Sequence, residues 1–347
     1  MKFTKLSLVT APLVLTASAA EQNLHLVFER DLVNSKSAIT VWNNEQTEVL
    51  GKSCTNSLTD GAFVKHAISF SVSENGAGNV TVGDNTYRIG DGDAGSVACG
   101  RIAAEDELVI NCVVPVKGLG VDLKPLAKRS LRECFPDGSL GVAKAMDVFE
   151  GKVDGEIPSD VLSQVPELSQ KEIDDAVKTA GLSKRQTGCG NWVTQTRPVG
   201  NGNPHQNPLH IQLSEATECP ANNQCVAGRF ESRSFSIGWS ANAAVSWISA
   251  GFSVVQTIDT GNNYECWGNP RDWFAVWKKQ AQTAYTVQQG IYNSCTNSWQ
   301  PVGGHIIIWS PNAQNRRGNY YCVFGRQYVR AIGDRWLDTS AGEPGGP

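Results

Sequence analysis

Apolar residues recur at every second position through many short stretches of this chain. Leu24, Leu26 and Phe28 alternate with polar neighbours, a period of two that sends one face of a strand into a core. Residues 38–42 and 67–72 are β-prone runs. Val80 and Val82 face Tyr87 and Ile89 across a turn at Gly83-Asp84-Asn85, which predicts a hairpin. Further along, the same reading predicts strands over 209–213, 224–230, 235–239, 245–258, 273–277, 284–288, 305–309 and 320–324. Helix-period patterns are scarce there, and Gly, Asn, Pro and Ser clusters punctuate the strands. The expected fold for 186–347 is therefore an all-β, antiparallel sandwich or barrel, preceded by a smaller β-rich unit.

One helix is predicted between the two β regions. Ser169 followed by Glu172 forms a capping box, and Ile173, Ala176, Val177 and Ala180 mark one face of a short helix that stops at Gly181. Lys184-Arg185 follows at once. An extended dibasic pair just beyond a helix end is the conformation a processing protease accepts in its cleft, and a cut there leaves a product of 162 residues beginning at Gln186. Leu126-Ala127-Lys128-Arg129 repeats the local grammar of Leu182-Ser183-Lys184-Arg185, so Lys128-Arg129 is a second candidate cut.

The first residues support a processed, exported chain. Lys2 and Lys5 precede an apolar run over 6–15, which ends in Ala17, Ser18 and Ala19, the layout of a secretory signal peptide. That run is too short to span a bilayer, which takes about 20 apolar residues. The expected organisation is a signal peptide at 1–20, a β-rich pro-domain at 21–129, a partly helical linker at 130–185, and a cysteine-rich β domain at 186–347, with the protein secreted. Asn79 begins the one N-x-S/T sequon, an acceptor for glycosylation.

Cysteine and charge both divide at the same place. Cys54, Cys99, Cys112 and Cys134 precede residue 185, and Cys189, Cys219, Cys225, Cys266, Cys295 and Cys322 follow it. Even counts on each side predict separate sets of disulfides in an oxidising compartment, and a bridge from Cys134 to an earlier cysteine would hold a nicked leader together. Residues 21–185 carry 17 Lys and Arg against 25 Asp and Glu, whereas 186–347 carry 11 against 9. Acidity of that kind keeps a leader soluble, and it can also cover a basic face by complementarity. With so small a positive excess, strong nucleic-acid binding by the product is not expected. Arg316, Arg317, Arg326, Arg330 and Arg335, interleaved with Tyr320, Tyr321, Tyr328 and Trp336, offer at most a local anionic contact.

Candidate chemistry is sparse. No C-x2-C pair, H-E-x-x-H or G-x-S-x-G occurs, so no metal site and no cofactor is expected. His305, Glu231 and Arg326 are the residue types a ribonuclease would use for acid/base transfer at phosphate, though their spacing does not demand it. Nine of the ten tryptophans follow residue 185. Most are expected in the core, while Trp267 and Trp299, in turn-rich surroundings, are the expected binding platforms for a sugar ring or a partner surface. Residues 234–258 carry no charge, and their alternation of Ser with large apolar residues is also that of membrane-inserting β-strands.

The plan of signal peptide, long leader, Lys-Arg cut and cysteine-stapled β product resembles fungal secreted effectors and killer toxins matured by a Golgi dibasic endoprotease. That resemblance implies two partners: the processing protease, and a surface target on a host or competing microbe that is bound rather than turned over. A wall- or carbohydrate-binding module using exposed Trp and a zymogen hydrolase such as a ribonuclease are the alternatives.

Overall fold

The structure, a computed structural model, describes residues 21–93, 95–117, 123–127, 133–135, 141–152, 168–179, 192–228, 236–238, 257–259, 264–315 and 318–339. Outside them lie the expected signal peptide, both dibasic pairs, Cys189, Glu231, Arg316, Arg317 and residues 239–256. The described chain is mostly β, built of antiparallel sheets braced by disulfides, as its alternation leads one to expect.

Strand β1 (Glu21–Asp31) is the hub of the first half. It pairs antiparallel with β2 (Lys36–Trp42) on one edge and, on the other, with β9 (Glu107–Lys117). Its Leu24, Leu26 and Phe28 are fully buried, the outcome that a period of two dictates. Beyond β2 lies β3 (Val49–Ser53), then β4 (Ser57–Leu58), β5 (Ile68–Val72), β6 (Gly78–Val82) and β7 (Asn85–Gly90). β6 and β7 form the expected hairpin, with Val82 opposite Asn85 and Gly83 at a φ of 57°, a conformation that favours glycine. β7 runs parallel to β8 (Ser96–Ala104), which is antiparallel to β9. The sheet curls until β3 meets β4, where Gly51 packs against Leu58 and Phe63. Inward residues of all these strands form one core. Cys99 and Cys112, directly opposite across β8 and β9, are bonded inside it.

Two helices follow. α1 (Gly141–Phe149) buries Val142, Ala145, Met146 and Val148, and packs on β8 and β9. The carboxylate of Glu107 accepts a hydrogen bond from the Val142 N–H at 2.9 Å, placing negative charge at the helix start. α2 (Gln170–Thr179) has the expected capping box: the Ser169 N–H donates to Glu172 Oε2 at 2.8 Å, and the Glu172 N–H donates to Ser169 Oγ at 3.3 Å.

The second half contributes β10 (Val193–Pro198), β11 (His205–Gln206), β12 (Leu209–Gln212), β13 (Thr217–Glu218), β14 (Cys225–Ala227), β15 (Ser236–Gly238) and β16 (Thr257–Asp259). Then come β17 (Cys266–Gly268), β18 (Trp273–Gln280), β19 (Gln282–Asn293), β20 (Ser298–Pro311), β21 (Asn319–Phe324) and β22 (Arg335–Leu337). β10, β19, β20 and β11 make a four-stranded sheet, and α2 lies against β20. β14 with β17, and β15 with β16, are two-stranded ribbons.

β12, β13, β18, β21 and β22 do not form a sheet of their own. β21 pairs with β18 on one edge and with β8 on the other, with Tyr321 opposite Ala104 and Phe324 opposite Arg101. Strands from both sides of residues 184–185 thus belong to one fourteen-stranded sheet. A second core spans the join, gathering Ile102, Val109 and α1 with Trp277, Tyr321, Val323 and Trp336.

Candidate functional site

Where the two halves meet, β8 needs a neighbour on the edge that β7 leaves after Ala98, and β21 supplies it. At this seam the Arg101 guanidinium sits 2.6 Å from the Asp272 carboxylate, both side chains almost fully buried, and lies 4.3 Å above the Phe324 ring. A buried pair of this kind is tolerated because each charge satisfies the other. Gly100 is in contact with the Tyr328 ring, in space that a Cβ would occupy.

Beside the seam opens a cleft of about 840 Å³, lined by Asp91, Asp93, Glu218, Arg271, Trp273 and Arg326 among others. Asp93 binds cations from both halves. Asp93 accepts from Arg88 at 2.6 Å and from Arg271 at 3.2 Å. The Ser96 hydroxyl, then Arg271 and Arg88, hold its carboxyl below the usual range. Asp91 accepts the Arg326 N–H at 2.9 Å, while desolvation pushes its carboxyl up. The Arg326 guanidinium lies 5.0 Å above the Trp273 ring. One ion pair here, Asp93 with Arg271, joins an acid before residue 185 to a cation after it, and the buried Arg101–Asp272 pair joins the two segments in the opposite sense. Asp91, Asp93, Arg271 and Arg326 thus take part in contacts that tie the two halves together.

The residues considered for acid/base chemistry are not gathered here. His305 is exposed on β20, opposite Gln288 in the four-stranded sheet, whereas Arg326 follows β21 at the seam. Glu231 lies outside the described residues. Among the described residues, no group of three or more His, Cys, Asp or Glu could hold a metal ion. The Arg and aromatic series near the end splits by side: Tyr321, Tyr328 and Trp336 are buried, and Arg330 lies 5.1 Å above Phe149 of α1.

The two tryptophans expected in turn-rich surroundings both lie on strands, Trp267 on β17 and Trp299 on β20, and they differ. Trp299 is half-buried, with its face covered by Arg197 at 5.1 Å and its Nε1–H directed at the Gln195 carbonyl at 3.5 Å. Trp267 is 57% exposed, and Val226, 39% exposed, stands opposite it across β14 and β17. Among the described large apolar residues that are exposed, Trp267 is the one aromatic. The ribbon that carries it is locked at both strands: Cys225 bonds Cys219, and Cys266 bonds Cys322 of β21. Asn75, between β5 and β6, donates to the Trp267 carbonyl at 3.3 Å.

All four described disulfides stay on one side of residue 185, and Cys134 is bonded back to Cys54. Cys295 is exposed just after β19. Asn79 is exposed on β6. Sequence reasoning missed the pairing of Arg101 with Asp272 and of Asp91 with Arg326, because nothing local marks residues whose partners lie so far along the chain. Comparison with protein-family models, curated proteins and solved structures finds no match to this chain.

Proposed function

We propose that this chain is an exported precursor of effector or toxin type, cut at Lys184-Arg185, that acts by binding a surface outside the cell. The observation that carries this reading is Trp267 on its doubly bridged ribbon. An indole held out on a rigid support loses little freedom on binding, so more of its contact energy appears as affinity. The four disulfides suit an oxidising compartment, and no described helix is long and apolar enough to cross a membrane. The engaged charges of the cleft support binding over turnover.

The test is retention of labelled protein on plant cells, fungal cells and immobilised wall polysaccharides. Trp267→Ala is expected to lower retention tenfold or more on one of these surfaces, since central aromatic anchors contribute about 2 kcal/mol or more. Retention on polysaccharide alone selects the carbohydrate-binding version. Unchanged retention of Trp267→Ala on every surface contradicts the proposal.

A membrane-active second reading rests on the register of β15 and β16. Ser236 faces Asp259, and Gly238 faces Thr257, so the ends of the uncharged run are paired antiparallel. The run 234–258 has the length for two strands of about 10 residues, the span a bilayer requires. Dye release from anionic or neutral vesicles tests it; intact vesicles after processing contradict it.

A further inference from the structure

We infer that processing does not discard the leader, and that the segments before and after the cut persist as a two-chain protein held without a covalent bond. This rests on the proposed cut at Lys184-Arg185, in which water is added across the Arg185–Gln186 peptide bond, leaving a carboxylate on Arg185 and an amine on Gln186. All four cysteines before the cut are bonded to one another, Cys54 to Cys134 and Cys99 to Cys112. No disulfide can therefore span the cut, and only non-covalent contacts decide whether the pieces part.

Those contacts are of the kind found inside a domain. β8 and β21 share a ladder over Arg101–Phe324 to Ala104–Tyr321, so separation would bare two sheet edges with unpaired backbone groups. Arg101 and Asp272 would each lose the partner of a buried charge. α1 holds the product from a second side: Phe149 meets the Trp277 ring edge-on at 5.0 Å, and the Arg330 guanidinium donates to the Val148 carbonyl at 3.4 Å. The Tyr328 hydroxyl donates to Glu150 at 3.3 Å. α2, the last described element before the cut, rests on β20. If Lys128-Arg129 is cut as well, the Cys54–Cys134 bridge keeps the middle piece attached. The leader also positions the binding ribbon, through Asn75 and the Trp267 carbonyl. It is thus a structural subunit of the processed protein.

The experiment uses the secreted full chain, digested with a Lys-Arg-specific endoprotease until a reducing denaturing gel shows complete conversion. Size exclusion and native mass spectrometry at nanomolar concentration are then expected to show one species containing both polypeptides, which separate only in denaturant. Two independent species under native conditions overturn the inference. Arg101→Ala, which strands Asp272, is expected to raise the dissociation constant at least 100-fold. If that variant does not fold, Phe149→Ala is the second interface variant, and the wild-type result stands on its own. If the endoprotease leaves the chain intact, the processing proposal fails; a foreign cleavage site placed at 184–185 then tests the two-chain association by the same readouts.

Discussion

Arg101 and Asp272 show how much can depend on one side-chain pair that no local pattern announces. Arg101→Ala is expected to destabilise the uncut chain by about 3–5 kcal/mol, because the remaining carboxylate stays buried without a partner. Replacing both, Arg101→Met with Asp272→Leu, is expected to be near neutral; urea unfolding of the three proteins checks the contrast. Gly100 was equally silent: its role is to let the Tyr328 ring approach, and Gly100→Ala should cost about 1–3 kcal/mol by overpacking. His210 is buried, stacked at 3.7 Å on Trp336 and 2.8 Å from the Tyr321 hydroxyl, and burial holds its imidazole well below the ordinary range. Its neutral form is thus preferred in the folded state, so its contribution is present above the unfolded value near 6.5 and is lost as pH falls below it. His25 is lowered by burial in the same sense. The raised carboxyls of Glu29, Asp91 and Asp147 act oppositely, at lower pH. His210→Gln should therefore flatten the fall in stability below about pH 6.5, measured by unfolding at a series of pH values; an unchanged slope would show that His210 takes up its proton as readily in the folded as in the unfolded state. Among the tryptophans, exposure could not be read from the chain: Trp267 and Trp299 sit in similar turn-rich sequence, and what separates them is the cover Trp299 receives from Arg197, Gln195 and Gly290.

Elements were more legible than residues, and for a physical reason. Leu24, Leu26 and Phe28, the β6–β7 hairpin and the Ser169–Glu172 box each declare themselves within a few positions, since strand period, turn and cap are local properties. β19 and β20 run for 12 and 14 residues, well past the apolar cores at 284–288 and 305–309, because polar residues carry the ladder on: Gln282, Thr283, Asn293 and Ser310 are buried in it, and the start of β20 pairs while half-buried or exposed. α1 went unseen because its apolar face, Val142, Ala145, Met146 and Val148, is short and its best partner, Trp277, lies far along the chain. The cap of α2 is exposed, so Ser169→Ala is expected to cost about 1 kcal/mol locally. Hydrogen exchange should show faster opening of 170–179 with no change in the melting of the sheet.

At the scale of the molecule, the decisive feature is the sheet that runs through β8 and β21, joining the segments before and after residue 185. Cysteine parity, charge asymmetry and a dibasic pair all mark a boundary near residue 185, and each described disulfide respects it. None of them carries information about pairing between strands on either side, because edge complementarity is a property of assembled backbone rather than of sequence windows. The proposed cut after Arg185 therefore falls within a shared fold, and the parts it would leave are expected to remain one braced β protein displaying Trp267. The most direct measurement is native and denaturing mass spectrometry of the protein recovered from culture medium without reduction. The account predicts one native assembly that resolves on denaturation into two oxidised chains, the second beginning at Gln186. A single uncut polypeptide, a lone product chain, or reduced thiols would contradict it.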